Sequence, residues 1–171
     1  VYLNSWNASL RFDLENREEL FVTSIIKDRV QTKIQIDKED IKDFYPYVKG
    51  VNNHMGSRFT SDKERMHLLL QEIQSRNMYF VDSMTTRKSS GYELAKEMGI
   101  KTAQRDVFID NKEDPVYIEK QLQELVNTAR KEGTAIGIGH ARKNTISVLK
   151  KTIPEMENEG IEIVPVSALL E

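Results

Sequence analysis

The chain has 171 residues, enough for one domain whose core needs no cross-links. Its 25 basic and 27 acidic residues nearly cancel and no basic block occurs, so neither a nucleic-acid arm nor an acidic tail is indicated. The lack of cysteine excludes thiol catalysis, Cys-ligated zinc and disulfides, and no apolar run approaches the roughly 20 residues that span a bilayer. No secretory leader is visible, and the opening Val1-Tyr2-Leu3 reads as part of something longer.

Along the chain, Val1 to Leu3 is a strand candidate, Leu20 to Ile36 holds apolar runs without clean periodicity, and Asp37 to Val48 reads as helical. Gly50 to Asn53 is a short strand. Ser61-Asp-Lys-Glu64 forms a capping box before Met66, Leu69, Leu70 and Ile73, spaced i, i+3, i+4, i+7, which predicts a helix. Met78 to Val81 is an apolar run ending on Asp82 and reads as a buried strand. Gly91 to Met98 predicts a short helix closed by Gly99, and Thr102 to Ile109 a weaker strand. Asp114 with Pro115 opens a helix whose stripe is Ile118, Leu122, Leu125, Val126 and Ala129, and Gly133 ends it. Thr134 to Gly139 is a small-residue strand. A helix starts near Lys143, with Pro154 expected to kink or interrupt it before Gly160, and Ile161 to Val166 is expected as the last strand.

Strands alternating with helices predict an α/β class with a mainly parallel sheet and outer helices. No internal repeat or linker stands out, so residues 1–171 are read as a single domain. Ligands of such folds gather at the carboxyl ends of the strands. That rule draws attention to His54, Asp82 and His140, each closing a strand and expected on one rim, and to Asp106 within and Asp110 at the end of another. The third histidine, His67, falls inside the capped helix and is read as structural. Each residue also has a plainer reading. A strand-end histidine can simply bond a loop carbonyl, and Asp82 can cap its own turn. Asp110-Asn111 resembles helix-entry chemistry, and Asp106 a partner for Arg105. The flanking Gly139 allows backbone or ligand to approach His140. Two histidines and a carboxylate on one rim nonetheless fit metal ligation or proton transfer near neutral pH.

Five stretches carry a resemblance: GVNNHMGSRFT (Gly50 to Thr60), YFVDSMTT (Tyr79 to Thr86), RDVFIDN (Arg105 to Asn111), AIGIGHA (Ala135 to Ala141) and IEIVPVSALL (Ile161 to Leu170). In this order and spacing they resemble the divergent polysaccharide deacetylase family, part of the NodB-like carbohydrate deacetylase group. The resemblance implies a distorted (β/α) barrel and metal-assisted removal of acetyl groups from sugars. It also implies a bacterial envelope setting, a glycan substrate and a divalent ion, zinc first, held by an aspartate and two histidines. By position, His54 looks like a metal ligand, His140 like the general acid, and Asp82 like the carboxylate that orients the machinery. Asn53, Ser57, Arg58, Arg105 and Asp106 look like substrate-binding or site-fixing residues.

Two departures follow from the same likeness. Relatives open with a strand ending Asp-Asp, which would lie upstream of Val1, and Asn4 stands where they carry the second metal histidine. An amide is a poor zinc ligand, so an incomplete metal site with weak zinc binding and slow or absent turnover is expected of the chain as given. The rival reading is a non-catalytic carbohydrate-binding or scaffold protein on the same fold. A metal-free hydrolase using His140 has no Gly-x-Ser-x-Gly motif to support it.

Overall fold

The structure is a computed structural model that describes residues 2–3, 20–25 and 48–170. The helix expected over Asp37 to Val48 lies outside the described residues, apart from Val48, which opens a strand; so does Asn4. The chain divides into two compact units, Leu10–Gln104 with Leu170–Glu171, and Val1–Ser9 with Arg105–Leu169.

The first unit holds a four-stranded sheet in the order β2-β3-β4-β5: β2 is Leu20–Ile25, β3 Val48–His54, β4 Tyr79–Asp82 and β5 Thr102–Gln104. Every pairing in it is parallel. After β3 come a one-turn helix α1, Ser57–Thr60, and α2, Lys63–Ser75; α3, Gly91–Glu97, links β4 to β5. The cap of α2 is one residue later than the sequence pattern implies. Asp62 accepts the Arg65 N–H at 3.2 Å, while the Ser61 hydroxyl is spent on the Ser57 carbonyl at 2.6 Å. An Asp and a Ser side by side can each cap, and the carboxylate takes the role here. The predicted stripe Met66, Leu69, Leu70 and Ile73 is buried with Val51, Phe80, Ala95 and Ile100.

The second unit holds a three-stranded sheet, β1-β7-β6, also parallel: β1 is Tyr2–Leu3, β6 Val107–Phe108 and β7 Gly137–Gly139. The single strand expected over Thr102 to Ile109 is therefore two, β5 and β6, belonging to different sheets. Helix α4, Pro115–Glu132, begins as predicted, with Asp114 accepting the Tyr117 N–H at 2.7 Å. Its stripe Ile118, Leu122, Leu125 and Val126 packs with Val148, Leu149 and Met156 of α5, Lys143–Asn158. That helix runs through Pro154 without interruption, against expectation. Burial of Met156 beyond the proline, in the same cluster as Val148 and Leu149 before it, compensates for the lost backbone donor.

Ile161 to Val166 is not a strand: 161–165 carry no regular structure and Val166–Leu169 form a 3-10 turn. The backbone shows why. Gly160, at φ 82°, donates to the Glu157 carbonyl and Ile161 to that of Met156, the paired bonds that close a helix through a left-handed residue. The amide that would start a ladder is thus used to finish α5, and Pro165 has none to offer. The same closure ends α2 at Asn77 (φ 54°), with Met78 N–H bonded to Ile73, and α3 at Gly99 (φ 70°), with Ile100 N–H bonded to Ala95. In those two cases the apolar residue that follows the left-handed one is buried and feeds the next strand.

A side chain at Gly99 would meet nothing within 4 Å, so Gly99→Ala isolates the cost of the left-handed backbone. That variant is expected to lose about 1–2 kcal/mol in urea unfolding, and Gly99→Asn less.

Candidate functional site

Parallel register decides what each strand end collects. In the first unit Asn52 pairs with Val81, so the next positions set Asn53 beside Asp82 and His54 beside Ser83. Asn52 and Asn53 are buried and act as cross-links. Asn52 Nδ2 donates to Ser83 Oγ at 3.0 Å, and Asn53 Oδ1 accepts the Ser83 N–H at 2.9 Å. Asp82 is fully buried. Its Oδ1 accepts the Met84 N–H at 2.8 Å; its Oδ2 accepts the Ser89 hydroxyl at 2.7 Å and the Tyr92 N–H at 3.1 Å. These bonds fold the loop after β4 and cap α3 from outside the helix, since Ser90 at its N-cap makes no side-chain cap bond.

His54 is half-buried at the end of β3. Met55 follows at φ 57° with 70% of its surface exposed, and its carbonyl is held by Thr85 Oγ1 at 3.2 Å and Asn53 Nδ2 at 3.4 Å. On α1, Ser57 and Arg58 are both exposed. The residues of the Asn-Asn-His-Met-Gly-Ser stretch thus divide into buried amides that lock two strand ends and groups that reach water.

In the second unit Phe108 pairs with Ile138, and two residues further on the same register sets Asp110 opposite His140. Asp110 is fully buried and gathers donors from a single short segment. Its Oδ1 lies 2.9 Å from His140 Nδ1. Its Oδ2 accepts the His140 N–H at 2.8 Å and the Thr145 hydroxyl at 2.9 Å, and its backbone carbonyl accepts from Arg142 Nη1 at 3.1 Å. Burial is the largest influence on the carboxyl and pushes its pKa up. The hydrogen bonds from His140 and Thr145 and the His140 charge together outweigh burial and hold it below the usual value.

The imidazole of His140 is one-quarter exposed and tilted against the Phe108 ring, 5.6 Å between centroids, with the Arg105 guanidinium 5.1 Å from the Phe108 ring centre. Asp106 accepts the Ile136 N–H at 2.7 Å and so pins the chain entering β7. A carboxylate on Nδ1 fixes the ring orientation and makes Nε2 the nitrogen that exchanges protons. Asp110 corrects the helix-entry reading of Asp110-Asn111: the α4 cap is Asp114, and Asp110 instead belongs to the imidazole. The signal that finds it is the constant offset of 30 positions linking Asp106 to Ile136, Phe108 to Ile138 and Asp110 to His140.

His54 and Asp82 stand in one unit, and His140 with Asp110 in the other. Among the described residues no three His, Asp or Glu side chains group closely enough to hold a metal ion. Beside His54 the strand ends carry the amides of Asn52 and Asn53 and the hydroxyl of Ser83, which are poor zinc ligands, and the carboxylate of Asp82, whose two oxygens are already bonded to Met84, Ser89 and Tyr92.

The model of a family described as divergent polysaccharide deacetylase matches residues 20–170. The chain belongs to the divergent polysaccharide deacetylase family. The NodB-like α/β class implied by the motifs is met by the parallel sheets and by a solved structure of an uncharacterized protein from Agrobacterium tumefaciens C58. That structure is 31% identical with a TM-score of 0.70, covering 72% of this chain and 50% of that one. Two family relatives are an uncharacterized protein of Haemophilus influenzae and the uncharacterized protein YibQ of Escherichia coli K12. The first is 37% identical over 76% of this chain and 45% of its own length; the second is 34% identical over 73% and 39%. This deacetylase-family chain therefore spans less than half the length of the curated relatives it matches.

The lowered Asp110 pKa carries a stability prediction. A depressed carboxyl contributes stability above its unfolded value, about 3.9, and loses it as pH falls through the folded value. Asp110→Asn is expected to cost about 1–3 kcal/mol at neutral pH, with the gap to wild type narrowing below about pH 4 in urea titrations across pH.

Proposed function

We propose that the chain carries the proton-transfer apparatus of a carbohydrate deacetylase acting on acetylated envelope glycans. The observation that carries this reading is the contact between His140 Nδ1 and the buried Asp110 carboxylate at the ends of adjacent parallel strands. Hydrolysis of an acetyl amide or ester needs a proton on the departing sugar nitrogen or oxygen as the tetrahedral intermediate collapses. An imidazolium whose Nδ1–H is held by Asp110 delivers that proton from Nε2, and Asp110 stabilises the charged ring until transfer. Phe108 limits the tilt of the ring.

Membership of the family supports a carbohydrate as the substrate class. Ser57 and Arg58 in one unit, and Arg105 in the other, each carry donors suited to sugar hydroxyls, while Asn53 holds the Ser83 amide and Asp106 the Ile136 amide within their own units. His54 is the candidate ligand for a divalent ion, zinc first, by the family resemblance. Asp82 keeps the loop beside His54 folded. No helix among the described residues is long and apolar enough to cross a membrane; the envelope setting rests on the family resemblance.

Acetate release from acetylated chito-oligosaccharides, with and without added zinc, tests the proposal. His140→Ala is expected to lower release by roughly 10²–10⁴-fold and to spare metal and glycan binding. His54→Ala is expected to remove metal affinity. Glycan binding without acetate release in the wild-type protein, zinc present, would replace the hydrolase with a carbohydrate-binding protein on the same fold.

A further inference from the structure

Asp110 could be held by His140 alone, through its backbone amide and its ring. A third donor is nonetheless supplied by Thr145, at the third position of α5, whose side chain is fully buried and reaches Oδ2 at 2.9 Å. The helix it starts has no side-chain cap of its own: Arg142 at the N-cap makes no such bond. A threonine near a helix start that turns toward a carboxylate on another strand is placed by that carboxylate, not by the helix. Valine would fill the same space, so the hydroxyl is what the position uses.

The geometry divides the carboxylate into two halves. Oδ2 is saturated by two donors, the His140 N–H and the Thr145 hydroxyl, while Oδ1 faces Nδ1. With only the amide on Oδ2, the group could rotate about its Cβ–Cγ bond, a soft torsion, and carry Oδ1 out of line with the ring. Two donors on one oxygen oppose that rotation. Among the described residues, the cationic groups nearest this couple are the imidazole itself and Arg142 at the Asp110 carbonyl, with Arg105 further off over the Phe108 ring. Arg142 is engaged with the backbone oxygen and Arg105 with the ring, so it is the threonine hydroxyl that completes the Oδ2 shell.

We infer that Thr145 is a positioning residue for His140, acting through Asp110 to hold the imidazole in the tautomer and orientation that leave Nε2 as the exchanging nitrogen. This rests on the reading of His140 as the proton donor, and the test separates the two.

The chain has three histidines, so imidazole nitrogen spectra of the protein are simple, and His140→Ala assigns the relevant signals. At alkaline pH, where imidazoles are neutral, wild-type His140 is expected to carry its proton on Nδ1. Thr145→Val should shift that signal toward the free-solution mixture and lower kcat for acetate release about 10-fold with KM unchanged, and Thr145→Ser should restore both. A folded Thr145→Val protein whose His140 signals match wild type overturns the positioning role, whatever its activity. A tautomer shift in Thr145→Val, in a protein whose wild type releases no acetate, upholds the positioning role and removes the hydrolase reading instead. If Thr145→Val does not fold, Thr145→Ser decides. Wild-type tautomer with a retained hydroxyl supports the inference, and a shifted tautomer despite the hydroxyl overturns it.

Discussion

A carboxylate taken out of water must be surrounded by hydrogen-bond donors, and both units of this chain meet that demand at the end of a strand. Asp82 collects two amides and a hydroxyl from the ten residues that follow it. Asp110 collects an amide, an imidazole and a hydroxyl from a segment some thirty residues away. The difference in sequence distance decides what each does. Asp82's donors are local, so the carboxylate shapes its own loop and starts α3. Asp110's donors lie beyond α4 and β7 in the chain, so the carboxylate ties β6 to the turn that starts α5 and fixes a titratable ring in passing.

The sequence pattern reveals elements whose signal is local. The stripe of α2, the Asp114-Pro115 entry to α4, and the apolar run ending on Asp82 all rest on neighbours within a few residues, and all appear as expected. What depends on pairing was hidden. Thr102 to Ile109 looks like one extended run, yet its halves join different sheets, and nothing in the residues themselves names the partner strand. Ile161 to Val166 has the composition of a strand but spends its first amide on the helix before it. Pro154 breaks a rule of local preference that burial on both sides of it overrides.

The site shows the same division. His140 stands out because a histidine after Gly-Ile-Gly closes a strand of small residues with a titratable group. Asp110 hides behind Asn111, since Asp-Asn before a loop is also ordinary turn composition. Only the parallel register, by which Phe108 faces Ile138, converts two unrelated motifs into one couple. Thr145 was invisible for a further reason: it lies in the first turn of a helix, where threonine is ordinary, and its partner is on another element.

This contrast bears on what the strand ends can do. A proton-transfer couple needs two side chains at one pair of strand ends, and β6 with β7 supplies both, with the carboxylate dry and the ring reaching water. A zinc site needs three or four ligands gathered from several strands. At β3 and β4 the buried positions next to His54 are taken by Asn52, Asn53 and Ser83, groups that bond one another. Replacing those amides with ligands would unlock the two strand ends, because each amide can both donate and accept there, which a neutral imidazole does only with its two nitrogens opposed. The Asn-Asn pair is therefore better understood as the frame that presents His54 than as part of a ligand set. The strained Met55 beyond it, with its carbonyl tied from two sides, is the point where that frame ends and the exposed surface begins.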